Sequence, residues 1–158
     1  MIDIAAALEA LGIAHEIHHH PPVLTVAEAR GHWAGIDAVH TKNLLLKDAA
    51  GAFWLVCMPA EAPLDLKALP DRIGSKRRRF APVDQLADLL GVEAGAVSAF
   101  AIVNDRSSRV RLVLAAALMA ADRIAFHPLD NRRTIVLTPD GLSTSLASIG
   151  REAMVMAI

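Results

Sequence analysis

Apolar and polar positions change period repeatedly along this chain of 158 residues, and each change predicts an element. Ile4, Ala7, Leu8 and Leu11 recur at helical spacing behind Asp3, a residue suited to cap a helix, and Gly12 stops the run. Over residues 13–19 the period falls to two, with Ile13, His15, Ile17 and His19 set against Ala14, Glu16 and His18. That pattern predicts a strand, and Pro21-Pro22 ends it. Thr25 with Glu28 three residues on forms a capping box for a second short helix, which Gly31 and Gly35 close.

Residues 43–47 and 53–58 read as paired strands around the turn Asp48-Ala49-Ala50-Gly51. Residues 64–69 read as a short helix. Pro82 opens another at its first turn, running to Leu90 with Gly91 as its stop. Residues 100–103 and 110–114 are strand candidates, 115–121 is helical, and 123–126 and 134–137 are strands. Thr138 or Asp140 begins a last helix that Gly150 ends, and residues 153–158 close the chain as a strand. Strands and helices interleave with neither a long structureless linker nor an internal repeat, which predicts one mixed α/β domain over residues 1–158.

Composition narrows the function classes. An apolar fraction of 54% excludes a disordered tail protein, and a chain of this length can bury a sizeable core. The net charge of -1 supplies no global positive field, so contact with nucleic acid requires a local patch. A single cysteine, Cys57, excludes an internal disulfide framework and suits a reducing cytoplasm; within its apolar strand it reads as a small packed hydrophobe. The first residues lack the basic segment of a secretory signal. The longest apolar stretch, residues 110–119, is too short to span a bilayer, so no membrane partner is expected.

Several residue types stand where chemistry could use them. Lys42 and Asn43 sit at the mouth of the apolar run Leu44-Leu45-Leu46, where a rigid sheet would hold them in place. Lysine holds phosphate as a point charge, and asparagine offers both a donor and an acceptor. A solvated lysine beside an edge cap is the plainer reading. Residues 91–100 carry two glycines four apart, Gly91 and Gly95, with small residues between. Such a loop lets backbone N–H groups approach a carbonyl oxygen or a water, although a helix stop followed by a loop has the same pattern.

His127 follows a strand and precedes Pro128, a place for a general base, an orienting partner or a structural histidine. Asn104-Asp105 reads as a turn. His15, His18, His19 and His20 invite a metal, but successive strand residues face opposite ways and neither a Cys pair nor an acidic cluster completes a tetrahedral set. Lys76, Arg77, Arg78 and Arg79 form the one dense basic run, either a phosphate contact or a solvated face. Few aromatic residues are interleaved, which argues against a base-stacking platform. Nucleotide and hydrolase-elbow fingerprints are missing, so neither a metal nor a cofactor is expected.

Taken in order, four segments carry a family likeness. They are His20-Pro21-Pro22 with Thr25, Thr41-Lys42-Asn43-Leu44, Gly95-Ala96-Val97-Ser98-Ala99, and Phe126-His127-Pro128-Leu129 with Asn131. The chain resembles the prolyl-tRNA editing superfamily of YbaK/ProX type, of the free-standing alanyl-tRNA(Pro) deacylase kind, from about residue 15 onward. The resemblance implies a curved, largely antiparallel, partly barrel-like central sheet flanked by helices. It also implies a trans-editing hydrolase that deacylates mischarged tRNA(Pro), with alanine the amino acid removed. A synthetase pocket built for proline rejects a smaller amino acid by only about 1–3 kcal/mol per methylene, so a second, smaller pocket must hydrolyse the error.

By the same resemblance, Lys42, Gly95, Ser98 and His127 form the catalytic set, and Lys42 holds the terminal nucleotide. His20, Thr25, Asn43, Ala96, Val97, Ala99 and Asn131 bind the substrate, and Lys76, Arg77, Arg78 and Arg79 meet the acceptor stem. Water attacks the ester with help from backbone groups and the vicinal ribose hydroxyl. Partners are the acceptor end of an aminoacyl-tRNA and a prolyl-tRNA synthetase, not DNA. Where relatives commonly read Gly-Ser-Val-Thr-Pro, this chain has Ala96, Ser98 and Ala99 in place of the serine, threonine and proline. Two alternatives follow: a tRNA carrying serine, threonine or cysteine as substrate, or a module that binds tRNA or a synthetase without hydrolysis.

Overall fold

Strand β2 (Val39–Asp48) is the element around which the sheet is arranged, and its length follows from an apolar run flanked by residues that each find a partner. The computed structural model describes residues 3–22, 26–33, 35–48, 50–63, 80–82, 89–92 and 96–158. Within them lie α1 (Ile4–Ala10), β1 (Glu16–His19), α2 (Val26–Trp33), β2, β3 (Phe53–Pro59), β4 (Phe80–Pro82) and a 3-10 helix (Ala99–Asn104). There follow β5 (Val110–Ala115), α3 (Ala116–Met119), β6 (Ile124–Phe126), β7 (Arg133–Leu137), α4 (Pro139–Ser148) and β8 (Met154–Met156).

The sheet runs β1-β7-β6-β2-β3-β5-β8, with β4 also on β2. The β1/β7, β6/β7, β2/β3 and β2/β4 pairs are antiparallel, while β2/β6, β3/β5 and β5/β8 are parallel. The architecture is therefore mixed α/β with an open sheet whose ends are β1 and β8, consistent with a curved sheet rather than a closed barrel. One edge of β2 is covered by β3 from Thr41 to Lys47. The other is shared: β6 pairs with Val39 and His40, and β4 with Leu46, Lys47 and Asp48. Between these two partners, residues 41–45 have no strand on that edge among the described residues.

Apolar burial fixes which way each side chain faces. Leu45, Leu55, Cys57, Leu112 and Leu114 lie in the main core, together with Ile124, Phe126 and Ile135. The alternate residues Leu46, Trp54, Val56 and Val113 form a second, smaller core on the opposite face, with Leu44 packed against it. Buried on both faces, this run cannot choose its own register by pattern. The hairpin turn does so. Asp48 accepts from Ala50 N–H and Ala52 N–H at 2.9 Å and from Trp54 Nε1 at 3.0 Å. Gly51 takes φ +87, a conformation that costs glycine little.

Most expected elements are present. Asp3 caps α1, Thr138 caps α4 with Pro139 in its first turn, and Gly12, Gly91 and Gly150 take positive φ where helices stop. Two expectations are corrected. Residues 100–103 are not a strand but part of the 3-10 helix, because Ser98 Oγ accepts from Phe100 N–H and starts a local turn. Pro82 does not open a helix; it ends β4 opposite Leu46, at a strand end where a missing N–H is tolerated. The Thr25 capping box, the helix at 64–69 and the start of the helix before Leu90 lie outside the described residues. Among the described residues no helix is long and apolar enough to cross a membrane.

Removing the Asp48 carboxylate should expose the register to error. Burial alone would raise its pKa, but the Trp54, Ala52 and Ala50 N–H groups outweigh that and hold it below the usual range. Asp48→Ala strands three donors. It should lower the unfolding free energy by about 2–3 kcal/mol in urea titration, with Asp48→Asn in between. An unchanged midpoint for Asp48→Ala would show that the turn does not depend on this side chain.

Candidate active site

His18, His40, Lys42, His127 and Thr134 share the face of the sheet opposite the main core, while Asn43, Ala96 and Ala99 lie on the main-core side. Cross-strand register places His18 opposite Thr134, and Ala125 opposite both Val136 and His40. Lys42 lies two residues beyond His40, and His127 two beyond Ala125, so parity brings all of them to one face. Helix α2 lies over it. The His32 ring stacks on His20 at 5.7 Å between centroids, and Trp33 stacks on His40 at 4.2 Å and 14°. His20 meets His127 edge-on at 5.9 Å. Beneath Trp33, a small cavity is lined by His40, Thr41, Ala125, Phe126, His127 and Thr134.

Backbone carbonyls set the tautomers. His127 Nδ1 lies 2.9 Å from the Arg133 carbonyl, so Nδ1 carries the hydrogen and Nε2 keeps its lone pair. The turn that returns the chain to Arg133 is tight: Leu129 is buried at φ +69, and Asp130 accepts from Arg132 N–H and Arg133 Nε at 2.9 Å. His20 Nδ1 faces the Pro21 carbonyl at 2.9 Å, which makes its Nε2 the acceptor of the Thr134 hydroxyl at 2.9 Å. His40 is hydrogen-bonded to the backbone of Ile36. Since the Ile36 N–H is given to the Trp33 carbonyl, the group facing His40 is the Ile36 carbonyl. Burial pushes the His40 pKa down to about 4 and also lowers that of His127, so both rings are neutral at pH 7.

Lys42 and Asn43 are adjacent in β2 and therefore face opposite ways at the open stretch of its edge. Lys42 Nζ donates to the Ala62 carbonyl, its one hydrogen bond among the described residues, and an ammonium has three donors. Asn43 Nδ2 donates to Thr41 Oγ1 at 3.3 Å, and Thr41 Oγ1 in turn donates to the Ala125 carbonyl at 2.8 Å. Asn43 Oδ1 and His40 Nε2 are buried without a hydrogen-bond partner among the described residues. Such orphaned acceptors are few in native proteins.

The other expected residues are placed as follows. Ser98 is fully buried and caps the 3-10 helix; Ala96 and Ala99 belong to the main core, with Val97 packed against it. Asn131 lies half-buried in the connection from β6 to β7. Beside it, Arg133 is engaged by Asp130 at 2.8 Å, while Arg132 is exposed. Asp105 accepts from Arg109 N–H, Val110 N–H and Arg151, which makes Asn104-Asp105 a structural turn. The Cys57 thiol is fully buried and burial raises its pKa, so it packs as a hydrophobe. Thr25, Gly95, Lys76, Arg77, Arg78 and Arg79 lie outside the described residues. Among the described residues no three His, Cys, Asp or Glu side chains group as metal ligands. Sequence reasoning passed over Trp33, Thr134 and above all His40, whose signal was its place two residues before Lys42.

Comparison with known proteins finds a family model, the aminoacyl-tRNA editing domain, matching residues 20–144. The prolyl-tRNA editing protein ProX of Acetoanaerobium sticklandii is 35% identical over 149 residues, covering 93% of this chain and 90% of the relative. The prolyl-tRNA synthetase associated domain-containing protein 1 of Bos taurus is 31% identical over 163 residues, covering 98% and 95%. Among solved structures, the hypothetical protein APE2540 superposes with a TM-score of 0.74 at 20% identity, covering 96% of this chain and 95% of that one. A candidate trans-editing enzyme for prolyl tRNA synthetase superposes at 0.67 and 18%, covering 97% and 93%. At those identities the two structures speak for the fold alone.

The neutral histidines make acid stability a test of this geometry. The imidazole of His40 takes up a proton near 6.5 when unfolded and near 4 when folded. Between those values the unfolded chain binds the extra proton, so stability falls as the pH drops through that window. His127 acts in the same direction. Glu16, Asp48 and Asp130, held below the usual carboxylate range, act at lower pH. His40→Phe keeps a ring against Trp33 and removes one proton site. Its melting temperature, followed from pH 7 to about 4, should fall less steeply than that of the wild type. Superimposable profiles would mean that His40 titrates as in the unfolded chain.

Proposed function

Because the chain belongs to the family of aminoacyl-tRNA editing domains and is an aminoacyl-tRNA deacylase, we propose that it hydrolyses mischarged tRNA(Pro) in trans and that alanine is the amino acid it removes. The observation that carries the reading is that strand parity turns the Lys42 side chain to the same sheet face as the two neutral imidazoles of His40 and His127, which line one small cavity. The Lys42 ammonium suits the phosphate of the terminal nucleotide, where a point charge serves well. Asn43 Oδ1, buried on the other face of β2 and without a partner among the described residues, would accept from a donor on an aminoacyl end that passes the strand edge. His127, with Nδ1 tied to the Arg133 carbonyl, offers an Nε2 lone pair that can take a proton or orient water.

His20 and Thr25 would border the pocket with Asn131, and Gly95, Ala96, Val97, Ser98 and Ala99 would shape the side that admits the amino acid. Lys76, Arg77, Arg78 and Arg79 would contact the acceptor stem. A prolyl-tRNA synthetase is the natural neighbour of such an activity, and the cytoplasm its place. Relatives named for prolyl-tRNA editing and for association with prolyl-tRNA synthetase support the choice of tRNA.

The first test is a panel of tRNA(Pro) charged separately with alanine, serine, cysteine and proline, following ester loss above the spontaneous rate. Loss of alanine with proline spared is expected. Loss of a different residue would move the substrate, and stable esters throughout would sink the deacylase reading. Lys42→Ala should slow deacylation by at least about tenfold, equal to roughly 1.4 kcal/mol of transition-state stabilisation. A folded Lys42→Ala enzyme with unchanged rate would remove Lys42 from the site.

Loop selectivity can be tested with Ala99→Pro. Ser98 sits at φ -153 and ψ 171, the extended conformation a residue before proline adopts, and position 99 opens a helix. The variant should fold and narrow the range of amino acids removed. An amino acid profile identical to wild type would detach this loop from selectivity.

A further inference from the structure

His40 is the imidazole of this face to which no contact with substrate has been assigned. Two contacts fix its ring: the Trp33 stack at 4.2 Å on one side and the Ile36 backbone at one nitrogen. The second nitrogen, Nε2, keeps a lone pair, is buried, and has no partner among the described residues. An apolar ring would fill the same space against Trp33 without leaving a buried acceptor unsatisfied, which costs about 1–3 kcal/mol.

The cavity that His40 lines with His127 has room for one group about the size of a water. Hydroxyls within its lining are already committed: Thr41 to the Ala125 carbonyl and Thr134 to His20 Nε2. Trp33, Ala125 and Phe126 make up the apolar wall. A neutral acceptor in so small a space suits an O–H donor; an ammonium would need several acceptors and a larger site.

We propose that His40 is a further substrate-positioning residue, whose Nε2 accepts a hydrogen bond from an O–H group at the reacting ester. The inference rests on the deacylase reading. The donor is either the attacking water or the hydroxyl of the terminal ribose next to the ester. Lys42, two residues along the same face, holds the phosphate side of the same nucleotide, so strand β2 fixes the distance between the two contacts. His127, across the cavity, presents the second Nε2 lone pair. His40 thereby restricts the orientation of the O–H group without itself changing protonation state.

The experiment compares wild type and His40→Phe on alanyl-tRNA(Pro) and on the same tRNA ending in 2′-deoxyadenosine. With the full ribose, kcat should fall by about tenfold or more while KM stays within about twofold, because the contact orients more than it binds. An unchanged kcat in a folded variant overturns the proposal. An equal loss on the deoxy substrate identifies water as the donor. A loss that vanishes there identifies the ribose hydroxyl, by the logic of a double-mutant cycle. Should His40→Phe not fold, His40→Gln and His40→Leu are compared. They are similar in size, and only Gln keeps an acceptor. Gln faster than Leu supports the role, and equal rates overturn it. Wild-type protein inactive on every charged tRNA would overturn the deacylase reading itself and this role with it.

Discussion

Strand β2 must satisfy three neighbours at once, and the position of the site follows from how it does so. On one edge β3 runs alongside it without interruption. On the other edge β6 and β4 each take one end and leave residues 41–45 between them. Among the described residues no strand pairs with that stretch. Lys42 and Asn43 fall within it. Their orientation depends on parity, since a shift of one residue would exchange the two faces. Leucines bury on both sides of this strand, so hydrophobicity gives little resistance to such a shift. The Asp48 turn supplies it, through three hydrogen bonds at the far end of the same strand.

Electrostatics on the site face follow from burial combined with backbone carbonyls. Each of three histidines has one nitrogen held by a carbonyl, which leaves the other as an acceptor. Burial keeps His40 and His127 neutral, so the only fixed positive charge we assign to the chemistry is Lys42. That division suits hydrolysis of a charged nucleotide ester. A lysine can hold phosphate while neutral acceptors manage the hydroxyl groups, and the imidazoles do not compete for the anion. Helix α2 completes the face by stacking, with Trp33 and His32 placing two of the rings.

Much of this fold was legible in residue order. Asp3, Thr138 and the positive-φ glycines marked helix ends because capping and left-handed backbone are local matters. The β2–β3 hairpin was legible because Asp48 and Gly51 are turn chemistry. Residues 100–103 were not, since a short apolar run fits a buried strand and a buried helix equally. Their conformation follows from Ser98, whose hydroxyl starts a local turn, and from the packing of Phe100 edge-on against Phe126, far along the chain.

The sequence by itself determined the element types, the polar pair at the head of an apolar strand, and the family likeness, because these depend on neighbours along the chain. Only the tertiary structure decided that Lys42 shares a face with His40 and His127 while Asn43 does not. It also decided that Ser98 is buried as a cap and that His40 Nε2 is left as an acceptor without a partner among the described residues. These are consequences of register between strands and of which helix lies over which face. The register of β2 with β6 and of β1 with β7 joins residues more than eighty positions apart, such as His40 with Ala125 and His18 with Thr134, while helix α2 is placed by the stacks of His32 on His20 and Trp33 on His40.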